Sequence, residues 1–307
     1  MQSLRARMLC AAMKAVFHSP FMRKKSLSDA AGKKTQNIKS RYKPSKGFRV
    51  SRYTCGKACY EKLVDNNSQT EKVVFHLHGG GFRVKLIDTY RKLAEKYSRL
   101  LGGATVISVD YRAFPEYEFP AQLEDSVAVY KEILRQGIKP ENIVFIGDSA
   151  GANLALTTSL YLRDNGLPLP SAIVCFSLWG DATSSGESKE KNAYKDPIYG
   201  IPQKERIEDN LEYLHGISRY AKNLDRTDPY VSPCFGDFAG FPPVTLVCGE
   251  AEVDESDSDR VYEKLIALGI DAALYKFEGM FHCFQLVPFL PESKQAYEYV
   301  RKRLMML

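Results

Sequence analysis

A chain of 307 residues, 44% hydrophobic and 26% charged, is long enough for one large α/β domain with an added cap and has an ordinary globular composition. No run approaches the roughly 18 uninterrupted apolar residues of a membrane-spanning helix, which argues against stable membrane insertion. The net charge of +6 is unevenly spread: residues 1–52 hold 14 Lys and Arg against one acid, Asp29, while residues 53–307 carry 29 against 36, or −7.

A basic leading segment attracts nucleic acid, anionic lipid or acidic substrates when it is free, and is a solvated outer face when it packs. Packing over the body, with no nucleic-acid partner, is the expectation here. Arg5 and Arg7 precede the apolar stretch Met8–Met13 as in a signal peptide, but Lys14 interrupts it and no small-x-small cleavage site follows. The expected location is therefore cytoplasmic. The seven cysteines are scattered, and the close pair Cys55 and Cys59 lacks the second pair of a zinc site, so reduced structural thiols and no metal are expected.

Leu4, Met8, Ala11 or Ala12, Ala15 and Val16 recur at helical spacing and predict an amphipathic helix over 3–17. Residues 23–47, rich in Lys, Ser and Gly, read as a flexible connection or a short second helix. Alternation from Phe48 to Tyr53 predicts a strand, and Ala58–Val64 a second one antiparallel to it, before the turn Asp65-Asn66-Asn67-Ser68. From there the pattern is β-α-β. Strands are predicted at Lys72–Leu77, Ala104–Val109, Ile143–Ile146, Ala172–Phe176, Val244–Cys248 and Ala273–Phe277. Helices are predicted at Thr89–Leu101, Ala121–Gln136, Ala150–Arg163, Ser256–Leu268 and Glu292–Met306. Such alternation predicts an α/β fold with a mostly parallel sheet covered on both faces. Residues 181–240 are the least regular and are candidates for cap elements.

Gly147-Asp148-Ser149-Ala150-Gly151 lies directly between a predicted strand and a predicted helix, the setting of a nucleophile elbow. The sharp turn strains the serine backbone and leaves no room for side chains two residues away, which glycine at 147 and 151 accommodates. His78-Gly79-Gly80-Gly81 follows the strand ending at Leu77; its bare backbone suits an oxyanion hole built from Gly79, Gly80 and the N–H of Ala150. A base must follow the nucleophile, and His282, just past the last predicted strand, is the candidate. The acid that orients it is left open among the five carboxylates of residues 250–257, which include Glu252, Asp254 and Asp257.

These segments carry a family resemblance. HGGGF at 78–82, VDYRAFPEYEFPAQLED at 109–125, GDSAGAN at 147–153 and EGMFHCF at 278–284 resemble, in order, the hallmarks of the bacterial hormone-sensitive-lipase-like esterases, over most of residues 70–305. The resemblance implies an α/β-hydrolase catalytic domain at 47–307 and an N-terminal cap at 1–46, to which 181–240 contributes. It implies a carboxylesterase acting on short acyl esters, working without metal or organic cofactor, whose partner is a small-molecule ester. A gapless match through Leu265 and Gly269 sets Glu252 on the family's acid position, ahead of Asp257 and Asp254; Asp254 replaces the usual leucine. Phe82, Trp179, Phe281 and Leu286 are expected as apolar pocket lining. An acetyl-saccharide esterase or an amidase would use the same site, and a purely ligand-binding role would need the histidine lost, which it is not. Dimers are common among such enzymes, so a homodimer is compatible with the resemblance.

Overall fold

The computed structural model describes residues 2–26, 40–215 and 219–307. Eight strands, β1 (Phe48–Cys55), β2 (Ala58–Asp65), β3 (Val73–Leu77), β4 (Thr105–Asp110), β5 (Ile143–Asp148), β6 (Ala172–Phe176), β7 (Val244–Gly249) and β8 (Ala272–Phe277), form one sheet in the order β1-β2-β4-β3-β5-β6-β7-β8. The hairpin β1–β2 and the β2–β4 pair are antiparallel, and every other neighbour is parallel. The parallel core strands are buried along their length and mostly apolar because both faces are covered.

Successive side chains on a strand point to opposite faces, and here they sort into two cores. Phe75, Leu77, Ile107, Phe145, Ile173 and Leu246 meet one set of helices. That set is α4 (Ala121–Arg135), α5 (Ala150–Asp164) and α8 (Glu255–Ala267), which contribute Val127, Tyr130, Leu154, Leu160, Val261 and Leu265. Val74, Val106, Ile146, Val174 and Val247 face the other way. They pack on α3 (Asp88–Leu100) and α9 (Pro291–Met306) through Leu93, Tyr97, Tyr297 and Val300.

At the N-terminus, α1 (Leu4–Phe17) is capped by Ser3, whose hydroxyl accepts from Ala6 N–H at 3.2 Å. The segment is fastened to the body: Ser3 N–H and hydroxyl donate to Glu292 at 2.6 and 3.1 Å, and Gln2 Nε2 donates to the Gly279 carbonyl at 2.6 Å. A second helix, α2 (Pro20–Ser26), starts earlier than residue 23, with proline at its first position, where no N–H is needed. The remainder of the predicted 23–47 connection, residues 27–39, lies outside the described residues. Between β6 and β7 the chain is mostly loop, with the short helices α6 (Ser188–Lys191) and α7 (Leu211–Leu214). No helix among the described residues is long and apolar enough to cross a membrane.

Candidate active site

The carboxyl ends of β3, β5, β6, β7 and β8 converge on one edge of the sheet, where open α/β sheets bind their ligands. Ser149 sits between β5 and α5 with φ 53° and ψ −122°, a strained conformation for a side chain other than glycine. The crossing is tight. A Cβ on Gly147 would lie 2.2 Å from the Gly151 carbonyl oxygen, and one on Gly151 would lie 2.0 Å from that of Leu77. Both glycines are thus dictated by close backbone approach, as the elbow motif implies.

Ser149 Oγ lies 2.8 Å from His282 Nε2, and His282 Nδ1 lies 3.2 Å from Glu252 Oε2. Of the acids left open by the sequence, Glu252 is the one that meets the histidine within hydrogen-bonding distance. Its other oxygen accepts from the Ser177 hydroxyl at 2.8 Å and the Gly249 N–H at 2.5 Å. Asp254 Oδ2 stands 4.0 Å from His282 Nδ1, while its other oxygen is engaged by the Lys189 ammonium. Asp257 points elsewhere and accepts from the N–H groups of Gly180 at 2.8 Å and Asp181 at 3.1 Å.

Glu252, Asp257 and His282 are buried. Burial raises the proton affinity of the Glu252 carboxyl above its ordinary value, against the donors that stabilise its charge. For His282 burial works against the charged ring, but Cys283 and Glu252 beside it outweigh burial and raise its proton affinity above that of a free histidine.

The glycine loop departs from expectation at one residue. Gly79 N–H donates to Asp148 Oδ1 at 3.2 Å, and the Gly79 carbonyl accepts from Tyr111 and His78, so Gly79 is a strut and not an oxyanion donor. Gly80 and Gly81 line the cavity in front of Ser149. Ala150 follows Ser149 at the start of α5. Asp148 also accepts from Tyr90 at 3.3 Å and Cys283 at 3.7 Å; burial pushes its carboxyl up to about 6.

The cavity holds about 510 Å³ and has Trp179, Phe281, Leu286, Val287, Met13 and Ile198 among its walls. Three of the four expected lining residues are therefore in place. Phe82 is the exception: it is 2% exposed and packs edge-on to Trp179 and tilted against Tyr220, with centroids at 6.0 and 4.5 Å. Its backbone turns left-handed at φ 59°, carrying the ring inward to the core.

Two contributors were not anticipated. Ser177, at the end of β6, donates to Glu252 and accepts from Cys283 N–H at 2.9 Å, so it ties the acid loop to the histidine loop. Asn192 donates to the Glu252 carbonyl at 2.8 Å. The position of Ser177 at a strand's carboxyl end is the one signal in the sequence that pointed to it.

A sheet of this topology, with a serine at the strand-to-helix crossing and a histidine and glutamate behind it, defines the class of the α/β hydrolases. Comparison with known proteins narrows this. Residues 74–286 match the family described as alpha/beta hydrolase fold. The chain is 32% identical over 241 residues to an acetyl-hydrolase of Streptomyces hygroscopicus, covering 78% of this chain and 77% of that protein. It is 34% identical over 238 residues to an esterase of Acinetobacter venetianus, covering 77% and 75%. Its structure superposes with a TM-score of 0.81 on a crystal structure of an esterase from the bacterial hormone-sensitive lipase family, at 27% identity over 99% of this chain and 98% of that one. The chain belongs to the α/β-hydrolase family and, within it, to the bacterial hormone-sensitive-lipase-like esterases.

Proposed function

We propose that this protein is a carboxylesterase that cleaves short-chain acyl esters through an acyl-enzyme on Ser149. The observation that carries the reading is the continuous hydrogen-bonded line from Ser149 Oγ through the His282 ring to Glu252, at 2.8 and 3.2 Å. His282 Nε2 takes the hydroxyl proton as Ser149 attacks the ester carbonyl, and Glu252 steadies the resulting imidazolium. The N–H groups of Gly80, Gly81 and Ala150 receive the oxyanion, each worth about 10²–10³ in rate. His282 then passes the proton to the leaving alcohol, and water repeats the cycle on the acyl-enzyme, freeing the acid.

A modest cavity lined in part by Trp179, Phe281 and Leu286 supports a small acyl group, as do the relatives named acetyl-hydrolase and esterase. Residues 1–46 act as a cap together with part of 181–240. Support comes from Met13 on α1 and from Ser184, Ile198, Tyr199 and Leu214, all of which border the cavity.

Hydrolysis of p-nitrophenyl esters from C2 to C12 tests the reading, with Ser149→Ala alongside. Turnover is expected to peak at C2 to C6 and to vanish in the variant. Retention of more than a few per cent of wild-type activity by Ser149→Ala, or a peak at C10 to C12, would refute it.

A further inference from the structure

Two buried carboxylates stand near His282 Nδ1: Glu252 at 3.2 Å and Asp254 at 4.0 Å. Two anions so close to one imidazole would compete for it, and together would favour imidazolium, the form that accepts no proton from serine. What separates their roles is a cation from another part of the chain. Lys189 on α6 is 5% exposed, and its ammonium is bound to the Asp254 oxygen that faces away from the ring.

The placement of Lys189 is not incidental. The Ser188 hydroxyl donates to the Val253 carbonyl at 2.7 Å and accepts from Ser256 N–H at 3.0 Å, and Asn192 Nδ2 holds the Glu252 carbonyl at 2.8 Å. Both ends of α6 are thereby clamped on the acid loop, with Lys189 between them. Burial opposes its charge, but Asp254 and then Asp257 outweigh burial and raise its proton affinity above that of a free lysine, so it stays an ammonium. Asp257 adds to the field that holds the charge, but the oxygen the ammonium touches is that of Asp254.

We propose that Lys189 is a positioning residue: by neutralising Asp254 it leaves Glu252 as the one effective carboxylate on His282 Nδ1. The inference rests on the reading of His282 as the base. It gives a reason for Asp254, where the family resemblance has leucine: the charge is tolerated because its partner arrives with it. The remaining groups that bear on the ring are Tyr199, 5.3 Å away between ring centroids, Cys283, Asp148 and Asp196. All four stay in place when Lys189 or Asp254 is changed, and of them Tyr199 also feels the Asp254 charge.

The test is the pH dependence of kcat/KM on p-nitrophenyl butyrate for four forms of the enzyme. Lys189→Met exposes His282 to an uncompensated Asp254, so its acid limb is expected to move up by about one pH unit, roughly a tenfold loss below that limb. Asp254→Asn leaves the ammonium uncompensated and is expected to move the limb down. The double variant Lys189→Met/Asp254→Asn is expected to restore the wild-type profile. A merely structural role for the pair would lower activity at every pH without moving the limb.

Superimposable limbs in all variants, or shifts of the same sign in both single ones, would overturn the proposal. Should Lys189→Met not fold, Asp254→Asn decides alone: a downward shift supports the proposal and an unmoved limb refutes it. Failure of the underlying reading is distinguishable, because it would show as hydrolysis by Ser149→Ala.

Discussion

Replacing Glu252 by glutamine isolates the contribution of the acid, and the structure states how. One carboxylate oxygen is held by two fixed donors, the Ser177 hydroxyl at 2.8 Å and the Gly249 N–H at 2.5 Å. An amide in the same space must keep its oxygen there, which turns its NH₂ toward His282 Nδ1. A donor at that point requires Nδ1 to accept, so the ring proton moves to Nε2. An Nε2–H cannot take the proton of Ser149, and the base is lost while the fold is not. A wrong-tautomer defect of this kind lowers kcat by about 10³–10⁴, or about 4–5.5 kcal/mol of transition-state stabilisation. The assay is stopped-flow hydrolysis of p-nitrophenyl butyrate by wild type and Glu252→Gln, with thermal unfolding beside it. A similar Tm is expected, since glutamine fills the same volume. A variant within tenfold of wild-type kcat would break this reasoning and move the role to Asp254, the next carboxylate at 4.0 Å.

Two further perturbations probe the frame of the site. A Cβ on Gly249 would come 2.1 Å from the Met280 carbonyl oxygen, so Gly249→Ala must separate the acid loop from the histidine loop. It is expected to lower kcat at least about a hundredfold and to lower the Tm; a wild-type rate would show that the loops move apart harmlessly. The second concerns His76, fully buried on β3 with Nδ1 2.9 Å from the Ser108 hydroxyl. Burial, and then the neighbouring His78, push its proton affinity down to about 3 from an unfolded value of 6.5. A depressed folded value means that its contribution is full above 6.5 and is lost as pH falls toward 3, on the order of 4–5 kcal/mol at most. His76→Phe should therefore flatten the loss of stability between pH 6.5 and 4 in urea unfolding, at a cost of about 1–3 kcal/mol at pH 7 for the unpaired Ser108. Parallel curves for the two proteins would assign the acid sensitivity elsewhere.

Much of this molecule is written in short-range patterns. Alternation from Phe48 and apolar runs such as Val73–Leu77 that end before glycine give strands, and helices begin where proline or a small polar residue interrupts them. The elbow was legible because part of its requirement is local: Gly147 meets the Gly151 carbonyl within one tight turn, while Gly151 is further required by the Leu77 carbonyl of β3. His282 was legible by order and position after the last strand. Distinctions among near neighbours were less so. Gly79 and Gly81 are alike in sequence, and what divides them is Asp148, contributed from β5, which claims the N–H of the first. Phe82 reads as pocket lining until its left-handed backbone turns the ring toward Tyr220.

The class of fold, and Ser149 and His282 as candidates for nucleophile and base, could be read from the chain alone, because local periodicity, chain chirality and turn sterics act within a few residues. Which carboxylate meets the histidine was settled by long-range packing. Residues 252, 254 and 257 share one loop and helix start, and only the loops after β6 and β8 and the distant helix holding Lys189 give each carboxylate a different partner. A carboxylate's role follows from the donors and charges around it, and in a buried site those come from segments far apart in the chain.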